Sequence, residues 1–101
     1  MILEKDIFGL IEYTKNGILS KELFKDQKFD STLFCMAAKT KISKHTATRR
    51  GLVYIVEGHG VFNLEGKDIK MKKGVMIFMK ENSVHSLVVE DNTSFVLVLF
   101  D

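Results

Sequence analysis

Along this chain, short apolar runs alternate with polar breaks. Segments rich in Val, Ile, Leu and Phe fall at about 18–24, 32–38, 52–57, 61–64, 68–71, 75–79, 84–89 and 94–100. Between them lie Asn16-Gly17, the polar stretch 25–31, Gly58 to Gly60, Glu65-Gly66, Lys73-Gly74, 80–83 and 90–93. The sequence contains no proline, so Gly, Asn and Asp must supply its turns. Runs this short are strand-sized, and a succession of them at this spacing predicts an all-β sandwich or barrel.

Within that frame, residues 61–71 read as a hairpin. Phe62 and Leu64 share one face, Asn63 and Glu65 the other, and Glu65-Gly66 forms the tip. Because one face is apolar and the other polar, a one-residue slip would invert burial, and the register is well specified. The runs 75–79 and 95–100 differ in being apolar at consecutive positions, so both of their faces need cover. Exposed apolar area of that extent marks an interface, and a homodimer formed by sheet packing or strand exchange is expected. The first sixteen residues stand apart as an arm, with Ile7, Leu10 and Ile11 at helical spacing; a short helix and an edge strand are both compatible with them. Residues 17–101 then form the barrel domain.

Composition narrows the class. The 101 residues suffice for one hydrophobic core, and 46% hydrophobic with 28% charged residues is typical of a globular protein. The longest apolar run, 94–100, is far below the ~20 residues that cross a bilayer, so no membrane partner is expected. Glu4 and Asp6 interrupt what an export signal would keep apolar, and the one cysteine, Cys35, has no partner for an internal disulfide. A reducing, cytoplasmic location is the expectation. Net charge is only +2 and acids alternate with bases along most of the chain, which does not suggest nucleic acid. The exception is 39–50, with five Lys or Arg and no acid. It reads either as a solvated strand and turn or as a basic rim, with Arg49 prominent, that favours an anionic ligand.

Candidate chemistry centres on two histidines. At intervals of six, two, four and seven residues stand Lys39, His45, Ala47, Gly51 and Gly58; at intervals of six, two, three and four stand Gly74, Lys80, Asn82, His85 and Val89. These spacings resemble the two signature motifs of the cupin family, G-x5-H-x-H-x3,4-E-x6-G and G-x5-P-x-G-x2-H-x3-N. The resemblance spans roughly residues 17–100. It implies a double-stranded β-helix of two antiparallel sheets, with His45 and His85 brought together inside the barrel as ligands for a divalent metal such as Fe, Mn, Ni or Zn. Ala47 stands where the family has a second histidine and Gly51 where it has a glutamate, so two of four ligands are present.

Two imidazoles do not close a metal site. Zinc normally takes four ligands, and non-haem iron takes two histidines with a carboxylate. Glu57 and His59 follow Gly51 at even spacing and are possible further pocket or ligand residues, although they also coincide with a turn at the barrel's end; Cys35 is a softer, more distant option. On strict alternation His45 shares its face with Ser43 and Ala47, and His85 shares its face with Ser83 and Leu87. Tyr54 reads as a core or interface residue; Met71, Met76, Phe78 and Met79 read as core and pocket lining. No phosphate loop, nucleotide fingerprint or Ser-His-Asp arrangement is visible. The expected function is small-molecule binding in a two-histidine pocket, with a weakly held divalent metal or with none. The alternative is a metal-dependent oxygenase or isomerase acting on a small polar or anionic substrate.

Overall fold

The computed structural model describes residues 2–101. A single helical turn, α1 (Ile7–Leu10), precedes nine strands: β1 (Ile18–Lys25), β2 (Phe29–Met36), β3 (Lys41–His45), β4 (Arg50–Glu57), β5 (Gly60–Leu64), β6 (Lys67–Met71), β7 (Met76–Met79), β8 (His85–Val89) and β9 (Thr93–Phe100). They form two antiparallel sheets, ordered β1-β2-β9-β4-β7 and β3-β8-β5-β6. From β2 onward the chain passes between the sheets at almost every connection, staying within one sheet only at the β5–β6 hairpin. That winding produces the double-stranded β-helix. The eight apolar runs correspond to eight strands. The ninth, β3, lies in the basic stretch, where Ile42 alone is apolar and the periodic signal is weakest.

Alternation explains which side chains meet between the sheets. From the larger sheet Met36, Val53, Ile55, Ile77, Met79 and Phe95 point inward; from the smaller one Phe62, Met71, Leu87 and Val89 meet them. Burying one side chain of this size contributes about 1.5–3 kcal/mol, so this layer dominates stability. The hairpin is as expected. Phe62 is buried, Asn63 Nδ2 donates to Asp68 Oδ1 at 2.8 Å across the strands, and Glu65 and Gly66 both have positive φ. Two consecutive positive φ values give the turn that matches the right-handed twist of its flanking strands.

A second, smaller cluster lies on the outer face of the larger sheet. Leu23, Leu33 and Cys35 are buried there beneath Ile7, Leu10, Ile11 and Tyr13 of the arm. The arm is pinned by the Tyr13 hydroxyl, which donates to Glu57 Oε2 at 2.7 Å, and by Lys21 Nζ, which donates to the Leu10 carbonyl at 2.8 Å. Burial and the Glu57 carboxylate push the Tyr13 hydroxyl above its ordinary pKa, so it stays a donor. The arm leaves part of this face open. In β7 Ile77 and Met79 turn inward, while Met76 and Phe78 turn outward, 63% and 49% exposed. The expectation that Met71, Met76, Phe78 and Met79 line core or pocket therefore fails for Met76 and Phe78, because strict alternation in β7 sends them to the opposite face. Among the described residues, no helix is long and apolar enough to cross a membrane.

Candidate functional site

β3 and β8 are neighbours, and their register sets His45 directly opposite His85. Forty residues of sequence separation thus become 4.0 Å between ring centroids, with the rings inclined at 60°. A β-bulge makes this possible. Ile42 pairs with Leu87 and His45 with His85, so three residues on β3 are set against two on β8. By strict alternation Ile42 and His45 would face opposite ways; the extra residue returns both to the interior. The face assigned to His45 from alternation is therefore corrected: it turns inward with Ile42. His85 keeps its expected face beside Leu87, because β8 is regular through that stretch.

The pair lies at one end of a partly open cavity of about 150 Å³. Phe34, Phe62 and Phe95 supply aromatic walls, and Ile42, Val53, Leu87, Leu97 and Met79 complete the lining. Apart from the two histidines, every lining side chain is apolar. Phe34 stacks on Phe95 at 5.1 Å, and Phe62 lies parallel to the His85 ring at 5.8 Å. His85 is 6% exposed, whereas His45 is at the solvent side. Most of these residues were legible only as core. The signal that marks them is parity, since His85 and Leu87, and Phe95 and Leu97, recur two apart.

Both imidazoles are oriented in the same way. His45 Nδ1 donates to the Ser43 carbonyl at 2.8 Å and His85 Nδ1 to the Ser83 carbonyl at 3.1 Å. A carbonyl oxygen only accepts, so each Nδ1 carries hydrogen and each neutral ring keeps its lone pair on Nε2. Burial lowers the pKa of His85, opposed by the Ser83 carbonyl and assisted by nearby His45. The neutral form is therefore the native one at neutral pH.

The other candidates lie elsewhere. Arg49 bridges Asp30 at 2.9 Å and Asp101 at 2.8 Å, so its charge is engaged by two carboxylates and it does not line the cavity. Arg50 lies over the Phe100 ring. The basic rim is thus not a set of cations aimed at the histidines. Glu57 holds the arm through Tyr13, and His59 pairs with Asp91 at 2.8 Å on an exposed surface. Neither joins His45 and His85, because β4 carries an irregularity between Ile55 and Glu57 and the chain turns at Gly58 with φ of 104°. Tyr54 lies on the outer face, 43% exposed, and Cys35 is buried under the arm.

Gly51 explains why no carboxylate reaches the pair. A Cβ there would lie 2.8 Å from Met79 Cε and within 3.5 Å of Leu97 and Leu99 side chains. The volume that a larger residue would enter is filled by Met79, which lines the cavity. Among the described residues no group of three His, Cys, Asp or Glu comes together. Two imidazole nitrogens inside an apolar wall do not make up the donor set of a resident catalytic metal.

A comparison with protein families matches residues 32–100 to the one described as Cupin domain. No protein of curated function matches. Solved structures match along nearly the whole chain. A conserved protein of unknown function from Streptococcus pyogenes is 19% identical, with 97% of this chain and 86% of that one covered and a TM-score of 0.87. A cupin superfamily protein from Desulfitobacterium hafniense is 18% identical, with 91% and 84% covered and a TM-score of 0.85. A cupin 2 conserved barrel domain protein from Leptotrichia buccalis is 25% identical over 93% of this chain, which spans 46% of that larger one, with a TM-score of 0.86.

Proposed function

Because the chain belongs to the cupin family, we propose that it is a small-molecule-binding member whose ligand sits in the cavity against His45 and His85. The observation that carries this reading is the pairing of two inward imidazoles, each tied through Nδ1 to a backbone carbonyl, at the end of an otherwise apolar cavity. Orienting two rings in this way leaves Nε2 as the accepting nitrogen of each, on side chains that line the cavity. Apolar walls with a few convergent polar groups are the usual make-up of a small-molecule pocket. Any divalent ion held there is held weakly, since no carboxylate offsets its charge. Two copies pack through the outer face of the larger sheet in this proposal, supported by exposed Tyr54, Met76 and Phe78. A reducing, cytoplasmic setting is supported by Cys35, buried and without a disulfide.

One feature favours a second reading, a metal-dependent oxygenase or isomerase acting on a small polar or anionic substrate. A metal-ligating histidine typically donates its other ring N–H to a carbonyl or carboxylate, as both rings do here. Metal content by mass spectrometry, on untagged protein and on a His45→Ala/His85→Ala variant, separates the two. We expect substoichiometric metal, together with fragment-induced NMR shifts at both imidazoles. Stoichiometric metal that is lost in the variant would instead establish a metal site and favour the enzyme reading.

A further inference from the structure

We infer that the pocket takes a neutral, ring-sized molecule presenting a hydroxyl hydrogen to the histidine pair, a compound of the phenol class. The inference rests on the cavity being a ligand pocket and names what that pocket selects. Hydrogen bonding comes first. With both Nδ1 atoms donating to the carbonyls of Ser43 and Ser83, the two Nε2 atoms are left as the acceptors of the pair, and no other lining side chain can donate to them. Two adjacent acceptors are complemented by a donor and opposed by a second acceptor.

Charge points the same way. A carboxylate or phosphate guest would need a cation, and none lines the cavity. Arg49 is occupied by Asp30 and Asp101, while Lys41 and Lys44 border a separate groove on the outside of the smaller sheet. Burying an anion against apolar walls without a counter-ion is strongly unfavourable.

Size and shape supply the remainder. A volume of about 150 Å³ is that of an apolar cavity able to hold benzene. The phenylalanine walls, with Phe62 parallel to the His85 ring, suit a flat aromatic guest through edge and face contacts. A ring bearing one hydroxyl therefore fills the cavity and supplies the missing donor.

The test compares phenol, benzene and benzoate at pH 8 by calorimetry and by the imidazole ¹⁵N shifts of the full-length protein. Phenol is expected to bind about tenfold or more tightly than either of the others, since a site built around a hydroxyl discriminates against an analogue lacking it. It should also move the Nε2 resonances of His45 or His85. In a His45→Ala/His85→Phe variant, which keeps an aromatic ring against Phe62, phenol should lose its margin over benzene. The wild-type comparison decides the matter even if that variant does not fold. Benzoate binding as tightly as phenol would overturn the donor assignment while leaving the pocket reading intact, and benzene matching phenol would do the same. If none of the three binds but a fragment collection still shifts the imidazoles, this inference falls alone; if no fragment does, both fall.

Discussion

The exchange of one side chain for another's volume governs this site. Gly51 faces inward beside Met79, and the methionine occupies space that a longer residue at position 51 would need. Gly51→Glu alone is expected to crowd the core, whereas Gly51→Glu with Met79→Ala places a carboxylate beside the two imidazoles. That double variant should bind Zn²⁺ about tenfold or more tightly than wild type, since two histidines with a carboxylate form a recognised catalytic donor set; calorimetric titration checks it. The His85 imidazole gives a pH dependence. Its folded pKa lies below the ordinary 6.5, chiefly through burial, so the unfolded chain takes up the proton more readily. Stability contributed by the neutral ring is complete above the unfolded value and is lost as pH falls through the lowered folded one. Denaturant midpoints should therefore decline below about pH 6.5, and His85→Phe should flatten that decline.

Positions matching the family's glycines show how strongly backbone geometry is retained when residue identity is not. Lys39, Gly58, Gly74 and Asn82 all have positive φ, between 63° and 104°. Asparagine tolerates this region better than most residues, whereas lysine does not. The turn at Asn82 also ties the two motif loops together, its N–H donating to the Ala47 carbonyl at 2.7 Å. Ala47 thus contributes a backbone acceptor at a position where the motif has a ligating side chain.

Among the elements, β3 and the arm depend most on contacts distant in sequence. β3 is a five-residue edge strand with little apolar content, and its bulge decides where His45 points. The arm is held by a small apolar cluster and by the Tyr13–Glu57 hydrogen bond. Tyr13→Phe keeps the ring and removes the hydroxyl, at a cost of about 1.5 kcal/mol for a bond to a charged acceptor. We expect faster amide exchange over residues 7–13, with exchange in β5 and β8 unchanged, because the arm can open without disturbing the layer between the sheets. Equal acceleration throughout would mean that the arm and barrel open as one unit.

At the level of the whole molecule, the two faces of the larger sheet behave differently. The inner face is closed by the smaller sheet, and the outer face is covered by the arm only over Leu33, Cys35 and their neighbours. Tyr54, Met76 and Phe78 remain exposed together, on adjoining strands β4 and β7. A homodimer burying this patch is expected by light scattering at micromolar concentration, and Met76→Glu/Phe78→Glu should give a folded monomer. A wild-type monomer under those conditions would remove the dimer from the proposal and leave the pocket untouched.

The sequence by itself determined the fold class, the hairpin at 61–71 and the two histidines as the residues to watch. These rest on local information: two-residue periodicity, turn-forming residues and spacing within a motif. It could not assign Arg49, Glu57 and His59, whose partners Asp30, Asp101, Tyr13 and Asp91 lie 19 to 52 residues away. Nor could it show which way His45 points, because alternation holds only until a bulge interrupts it. The 4.0 Å approach of the rings, the lone pairs left on both Nε2 atoms and the filling of Gly51's space by Met79 were decided by the tertiary structure. Each depends on register between strands far apart in the chain, where a shift of one residue would reverse every side chain it carries.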